Sequence, residues 1–376
     1  MAKLGEVCKV SPSTKNIERQ GAWLLNLDMV EQQTGRVIEY KYVGEDDLNG
    51  SIIQFDTENV LYSKLRPNLN KVVLPQKDGF STSELLPLRP DAGVLNRDYL
   101  AAFLRSDSFV TWAVSKTAGA KMPRLGTKDL MNAEIPVPNI EQQKTIAEKF
   151  KKLEQLISLR KQQLEKLDEL VKARFVEMFG ELHKTEYSIR TLDELCEVIK
   201  DGTHQTPTYV DATEGYKFLS SKDVTSGYID WSSIKYISEE LHQELYKRIA
   251  PQHGDILLAK NGTTGIPAIV ETDETFDIYV SLALLRLKPN NNVRYIWSAL
   301  RMPETKAQFD NSLKGVGVPN LHLGEIKKTK VIVPPISLQN QFAAFAERVD
   351  QQKQTVQQSL EKLELMKKAL MQEYFG

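Results

Sequence analysis

The sequence predicts two α/β (α+β) domains in tandem, separated by two long helices that pair as an antiparallel coiled coil within one chain, so that the whole is an internal repeat with pseudo-two-fold character. Three observations predict it. First, Met122-Pro123-Arg124-Leu125 and Ile135-Pro136-Val137-Pro138 return 196 residues later as Val318-Pro319-Asn320-Leu321 and Val331-Ile332-Val333-Pro334. The same shift carries Gln143 onto Gln339, Ala147 onto Ala343 and Phe179-Gly180 onto Phe375-Gly376, with no gap from Pro123 to Gly180. A self-match of this extent marks a duplicated unit. Second, Glu141 to Phe179 contains neither Pro nor Gly and is built from strong helix formers. Third, each such run follows a front of about 140 residues that mixes short strands with short helices and diverges between the copies.

The copies begin at Leu4-Gly5-Glu6-Val7-Cys8 and Leu192-Asp193-Glu194-Leu195-Cys196, an offset of 188, so the second front carries about eight extra residues. The chain therefore divides into a first domain (1–140), a first spacer helix (141–180), a second domain (181–336) and a second spacer helix (337–376). In the first front, Val60-Leu61-Tyr62-Ser63 and Lys71-Val72-Val73-Leu74 read as strands around a Pro-Asn turn. In the second, Asp255-Ile256-Leu257-Leu258-Ala259 and Pro267-Ala268-Ile269-Val270 flank Asn261-Gly262-Thr263-Thr264-Gly265. Tyr99 to Val114 and Tyr295 to Leu313 read as short helices with aromatic core positions.

Apolar residues in the first run recur at steps of four and three, at Ile146, Phe150, Leu153, Ile157, Leu164, Leu167 and Val171. The second run continues the pattern at Phe342, Ala346, Val349, Val356, Leu360, Leu363 and Leu370. This is a heptad seam, stopped by Gly180 and Gly376 as expected just past a helix end. Arg160, Arg174, Lys353 and Lys367 interrupt it. A charge at a seam position costs stability and selects register and partner, which favours pairing of the two different helices within one chain. A parallel dimer between chains is the alternative. Each helix of about 38 residues spans ~57 Å, and antiparallel pairing leaves room for one front at each end.

Composition excludes several functions. Hydrophobic residues make up 41% of the 376, enough for real cores. With no apolar run of 18 residues and no apolar signal region in Met1-Ala2-Lys3-Leu4-Gly5-Glu6, the chain is expected to be soluble and cytoplasmic, without membrane association. The two cysteines, Cys8 and Cys196, allow no disulfide framework and no cysteine zinc site. No Walker A loop, dinucleotide fingerprint, zinc-protease motif or nucleophile elbow occurs, and the five histidines have no metal-ligand spacing. The chain is thus expected to be non-catalytic and to bind neither metal nor cofactor.

With 49 Lys and Arg against 50 Asp and Glu, the chain is not coated for nonspecific nucleic-acid binding. Charge is uneven, however: Glu58 to Lys128 holds eleven Lys and Arg against six Asp and Glu. Candidate groove contacts there are Lys64, Arg66, Asn68, Lys71, Lys116, Lys121 and Arg124. Arg and Lys suit guanine edges and phosphates, and Asn suits adenine; for any one of them a solvated surface is the plainer reading. The parallel set in the second front is Lys222, Lys260, Asn261, Thr263, Thr264 and Lys314; His204 and Tyr209 are further candidates for a base or phosphate contact, for which a structural loop packed by its own polar groups is at least as plain a reading. The Gly262–Gly265 loop lacks the Lys-Ser/Thr of a phosphate loop, and a tight hairpin, DNA-facing or not, is the plainer reading.

These motifs in this order, and twice, resemble the specificity subunit of type I restriction–modification systems over essentially the whole chain. The matching residues are Asp201-Gly202-Thr203-His204-Gln205-Thr206-Pro207, Gly254-Asp255-Ile256-Leu257-Leu258-Ala259-Lys260, Gly315-Val316-Gly317-Val318-Pro319-Asn320-Leu321, the Ile-Pro-Val-Pro turn and Glu141-Gln142-Gln143. The copies depart where Leu65-Arg66-Pro67 faces Asn261-Gly262-Thr263 and where the second helix starts Ser337-Leu338-Gln339. The resemblance implies two target-recognition domains reading a bipartite, asymmetric sequence in double-stranded DNA. It further implies docking of two modification subunits, which methylate adenine N6 with S-adenosylmethionine, and recruitment of a restriction/translocase subunit that uses ATP and magnesium. Lys151, Lys152, Glu165, Asp168 and Glu169 are candidate docking positions on exposed faces of the helices, a solvated face being the plainer reading of each. Alternatives are the specificity subunit of a related two-subunit system, a coiled-coil adaptor without a DNA role and, more faintly, a nuclease.

Overall fold

The computed structural model describes residues 1–48, 51–119, 121–313 and 319–376. The chain forms two compact units, residues 1–162 with 357–376 and residues 163–356. Both unit boundaries fall inside the long helices Ile140–Phe179 and Ile336–Phe375.

The first unit is built on an antiparallel sheet in the order Cys8–Val10, Leu85–Pro90, Val60–Ser63, Val72–Val73. A second sheet runs Lys41–Val43, Ala22–Leu25, Gly79–Thr82, Ile52–Phe55, with Ala22–Leu25 parallel to Gly79–Thr82. The second unit repeats this plan. Its larger sheet runs Cys196–Asp201, Leu282–Leu287, Ile256–Ala259, Pro267–Ile269, and its smaller one Lys235–Ile237, Tyr216–Leu219, Phe276–Ile278. Where the first unit has the edge strand Ile52–Phe55, the second has the helix Glu239–Arg248. The fronts thus keep a common sheet frame and differ at this edge.

The helical stretches expected from Tyr99 and Tyr295 are each broken into two. Arg97–Leu104 is followed by Asp107–Ser115, and Val293–Leu300 by Pro303–Asn311. Ser106 caps one second helix through its side chain, and Pro303 opens the other at a position where its missing N–H is harmless.

The repeated Gln has a structural job. Buried Gln143 accepts from Asn96 N (2.8 Å) and donates to Pro138 O (2.7 Å). Gln339 accepts from Asn292 N (2.9 Å) and donates to Pro334 O (2.9 Å). Asn96 and Asn292 in turn cap the helices that carry Tyr99 and Tyr295. Those hydroxyls donate to Pro136 O (2.9 Å) and Ile332 O (2.8 Å), so each helix start is stitched to its own front.

The long helices pair antiparallel within the chain. In the first unit Phe150 stacks on Phe375 (5.8 Å) and Glu154 pairs with Lys367 (3.0 Å). Arg160 Nε also donates to Ser359 Oγ (3.2 Å). In the second unit Asp168 pairs with Lys353 (2.6 Å), and Phe175 meets Phe342 edge-on (5.4 Å). Along both stretches the partner's number falls as the residue number rises. Of the seam residues, Ile146, Phe150, Leu153, Phe342, Val349, Val356 and Leu360 are buried; Ile157, Leu164, Leu167, Val171, Leu363 and Leu370 are half-buried. Three of the seam charges find polar partners on the facing helix; Arg174 pairs with Glu177 on its own helix and lies over the ring of Phe345 on the facing one. Asp168, one of the candidate docking positions, pairs with Lys353 and keeps 43% of its side chain exposed.

Each helix end completes a core of the other repeat. Phe375 packs on Tyr99 (5.2 Å) and Phe103 (5.8 Å), and its carbonyl accepts from Ser108 Oγ (2.6 Å). Phe179 packs on Tyr295 (5.2 Å) and Phe342 (5.6 Å).

Candidate nucleic-acid interface

In the first unit the turn after Val60–Ser63 meets the segment before Thr127–Met131. Leu65 and Arg124 form a backbone bridge, as do Ala118 and Arg124. Leu125 N donates to Lys64 O (2.9 Å), Arg66 N to Pro123 O (2.8 Å) and Lys64 N to Glu84 O (3.0 Å). The buried Leu125 side chain anchors this pairing in the core. Lys64 and Arg66 are brought beside Arg124 through their bonds to its neighbours Leu125 and Pro123, with Lys116 at the end of Asp107–Ser115 and Lys121 in the loop that follows. Five of the eleven basic residues of 58–128 thus lie on the two segments that this pairing joins. Lys64 is half-buried and the other four are exposed. Glu84 holds Arg124, its Oε1 3.2 Å from both Nε and Nη2. Asn68 is also exposed, with its carbonyl accepting from Gln33 Nε2 (3.1 Å).

The second unit builds the same corner 196 residues on. Asn261 and Asn320 form the bridge, Leu321 N donates to Lys260 O (2.8 Å) and Gly262 N to Pro319 O (3.3 Å). Leu321 is again fully buried. Arg66 and Gly262 occupy the same place in the turn, and both are left-handed, with φ of +50° and +73°. Only glycine enters this region freely, so retaining Arg66 there costs conformational energy at an exposed corner.

Three expected contacts are corrected by the geometry. Lys260 is buried and gives its ammonium to buried Asp201 (2.7 Å), which a groove contact would have to break. Lys71 donates to Leu27 O (2.6 Å), and burial pushes its pKa down against the opposing charge of Asp28. Thr264 is buried behind the turn that exposes Thr263. Asp201 also fastens exposed His204 (3.3 Å) and Arg248 (3.5 Å). Gly202 follows because a Cβ there would lie 1.9 Å from Ile278 O. Tyr209 is exposed beside Lys235, whose ammonium sits 5.6 Å from the ring centre, and Lys222 is exposed as well. Lys314 lies outside the described residues. The candidate set lacked Glu84, the orienting carboxylate, and Asn320, which the 196-residue shift from Arg124 would have found.

Replacing Arg66 with Asn, which tolerates the left-handed turn, is expected to leave thermal stability within about 1 kcal/mol of wild type while weakening DNA binding. The slope of log affinity against log salt should shrink by about one phosphate contact. An unchanged salt slope in a filter or anisotropy titration would remove Arg66 from the interface.

Cys8 and Cys196 are buried, which pushes both thiols up to about 12 and leaves them unreactive. Among the described residues no group of three or more His, Cys, Asp and Glu is placed to hold a metal, and no helix is long and apolar enough to cross a membrane.

The family model described as the type I restriction modification DNA specificity domain matches residues 1–169 and again 184–365. The MjaVIII type I restriction enzyme specificity subunit of Methanocaldococcus jannaschii is 24% identical over 323 residues, 81% of this chain and 75% of that one. The EcoBI specificity subunit of Escherichia coli is 24% identical over 277 residues, 63% of this chain and 57% of its own length. The match to the EcoDI subunit of the same species is 26% over 124 residues, 33% of this chain and 27% of that one. The chain thus spans less than two thirds of both E. coli subunits. Two solved structures share the fold. The S subunit of a type I system from M. genitalium has a TM-score of 0.55 at 17% identity, covering 100% of this chain and 95% of that one. A chain from a study of assembly and conformational transition in a type I R-M system has a TM-score of 0.60 at 16%, with coverage of 100% and 96%. With the family model matching both repeats and most of the chain, this protein belongs to the type I restriction–modification DNA specificity family and carries its domain twice in tandem.

Proposed function

We propose that the chain is the non-catalytic reader of a bipartite, asymmetric site in double-stranded DNA. The front at 1–140 takes one half-site and the front at 181–336 the other. The helices at 141–180 and 337–376 set the unspecified spacer and dock two adenine-N6 methyltransferase subunits. S-adenosylmethionine, ATP and magnesium are used by those partners and by a restriction/translocase subunit in the cytoplasm. The observation that carries this reading is the corner built twice on one backbone plan with different side chains, Leu65, Arg66 and Arg124 against Asn261, Gly262 and Asn320. A common frame with unlike polar groups is what reading two unlike sequences requires.

Methylome sequencing of a host carrying this chain with its methyltransferase is expected to show a split, asymmetric methyladenine motif that disappears when the chain is deleted. Unchanged methylation with an active methyltransferase would overturn the reading. Adding one heptad to each long helix lengthens it by ~10.5 Å. The spacer is then expected to grow by about three base pairs at ~3.4 Å per step, with both half-sites unchanged. Return of the original spacer would refute the ruler.

A further inference from the structure

In each unit the bridge places two residues directly opposite each other. Directly opposed residues in an antiparallel pair project to the same side and lie within reach of one partner group. In the first unit these are Leu65 and Arg124, in the second Asn261 and Asn320. The same flanking hydrogen bonds and the buried Leu125 and Leu321 hold both pairs, with a further bridge from Ala118 to Arg124 in the first unit. Arg124 is 46% exposed at its side chain, and Glu84 grips Nε and one terminal nitrogen, which orients the planar fork. A held guanidinium presents two parallel donors, the geometry of a pair of acceptors on one edge. The second unit has the opposite need. Among the described residues, Asn261 Oδ1 and Asn320 Oδ1 are both buried without a hydrogen-bond partner. Two neighbouring acceptors without donors are costly to leave unpaired and call for an amino group from outside.

We propose that positions 124 and 320 are the corresponding base-reading positions of the two units, Arg124 taking a guanine through O6 and N7 and Asn320, beside Asn261, taking an adenine through N6 and N7. The donor and acceptor patterns match those two base edges in the major groove. Glu84 is a positioning residue for Arg124. The proposal rests on the DNA-reading function above and adds which side chain reads which base.

The test uses the assembled complex of this chain with its methyltransferase partner, acting on a duplex library randomised across both half-sites. Arg124→Asn is expected to lower discrimination at one base pair of one half-site by about 10- to 100-fold, leaving the other half-site and the spacer as they were. Asn320→Arg is expected to change one base pair in the other half-site only. Arg124→Lys keeps the charge but not the planar fork, and is expected to weaken the guanine preference at that base pair less than Arg124→Asn does, since lysine can still donate to O6 and N7; it also carries the test if the Asn variant does not fold. Uniform weakening across all library members, with both half-sites intact, would make these positions phosphate contacts and overturn the proposal. A wild-type complex that selects no split motif would instead sink the DNA-reading function itself, and this inference with it.

Discussion

Phe179→Ala is expected to destabilise the second unit by ~3–5 kcal/mol, the cost of emptying an aromatic site in a packed core. Phe179 is almost fully buried and touches four rings, Phe175 (5.1 Å), Tyr187 (5.9 Å), Tyr295 (5.2 Å) and Phe342 (5.6 Å). Those rings come from the first long helix, the loop after it, the front and the second long helix, so no single element can move to fill the gap. The melting transition of that unit should fall by on the order of 10 °C, measured by calorimetry. A shift of a degree or two would mean that the aromatic cluster relaxes around the vacancy and that the helix end is not what closes this core.

Lys260→Met is the second large effect. It strands Asp201, nearly inaccessible with its carboxylate 2.7 Å from the lost ammonium, and leaves only half-exposed Arg248 (3.5 Å) and His204 (3.3 Å) as compensation. Breaking one side of a buried pair costs ~3–5 kcal/mol, whereas removing both charges is far cheaper. The double variant Asp201→Asn with Lys260→Met should therefore recover at least half of the lost stability in a denaturant titration. A double variant no more stable than the single one would show that the pair matters for packing rather than for charge.

These two residues also show where sequence reading succeeds and stops. Phe179 is legible because helix periodicity and a gapless 196-residue shift are local, repeated signals. The same holds for the strands at Val60 and Ile256 and for the seam. Lys64 and Lys260 are the same position of the repeat, and nothing local separates them. Asp201, 59 residues away, makes one an internal ion pair, while the other stays half-buried at a basic corner. Lys71 is likewise drawn inward by a carbonyl 44 residues off, and Arg124 is aimed by a carboxylate 40 residues off. Which basic residue faces solvent is decided by such long-range partners, which leave no periodic trace. The bridge that pairs 65 with 124 and 261 with 320 is equally non-local. It is legible only after the fold brings a turn and a distant segment together.

Because the first unit takes Met371 and Phe375 into its core, the order of synthesis matters. The second unit is one continuous stretch, 163–356, and can close as soon as that stretch has left the ribosome. The first unit must hold its front, with Tyr99, Phe103 and Phe150 uncovered, while roughly 190 further residues are made, a wait of about 10–40 s at the usual rate of translation. The domain that begins first therefore finishes last. A nascent chain interrupted before residue 371 presents one closed unit and one open aromatic face, the kind of surface that chaperones and proteases find.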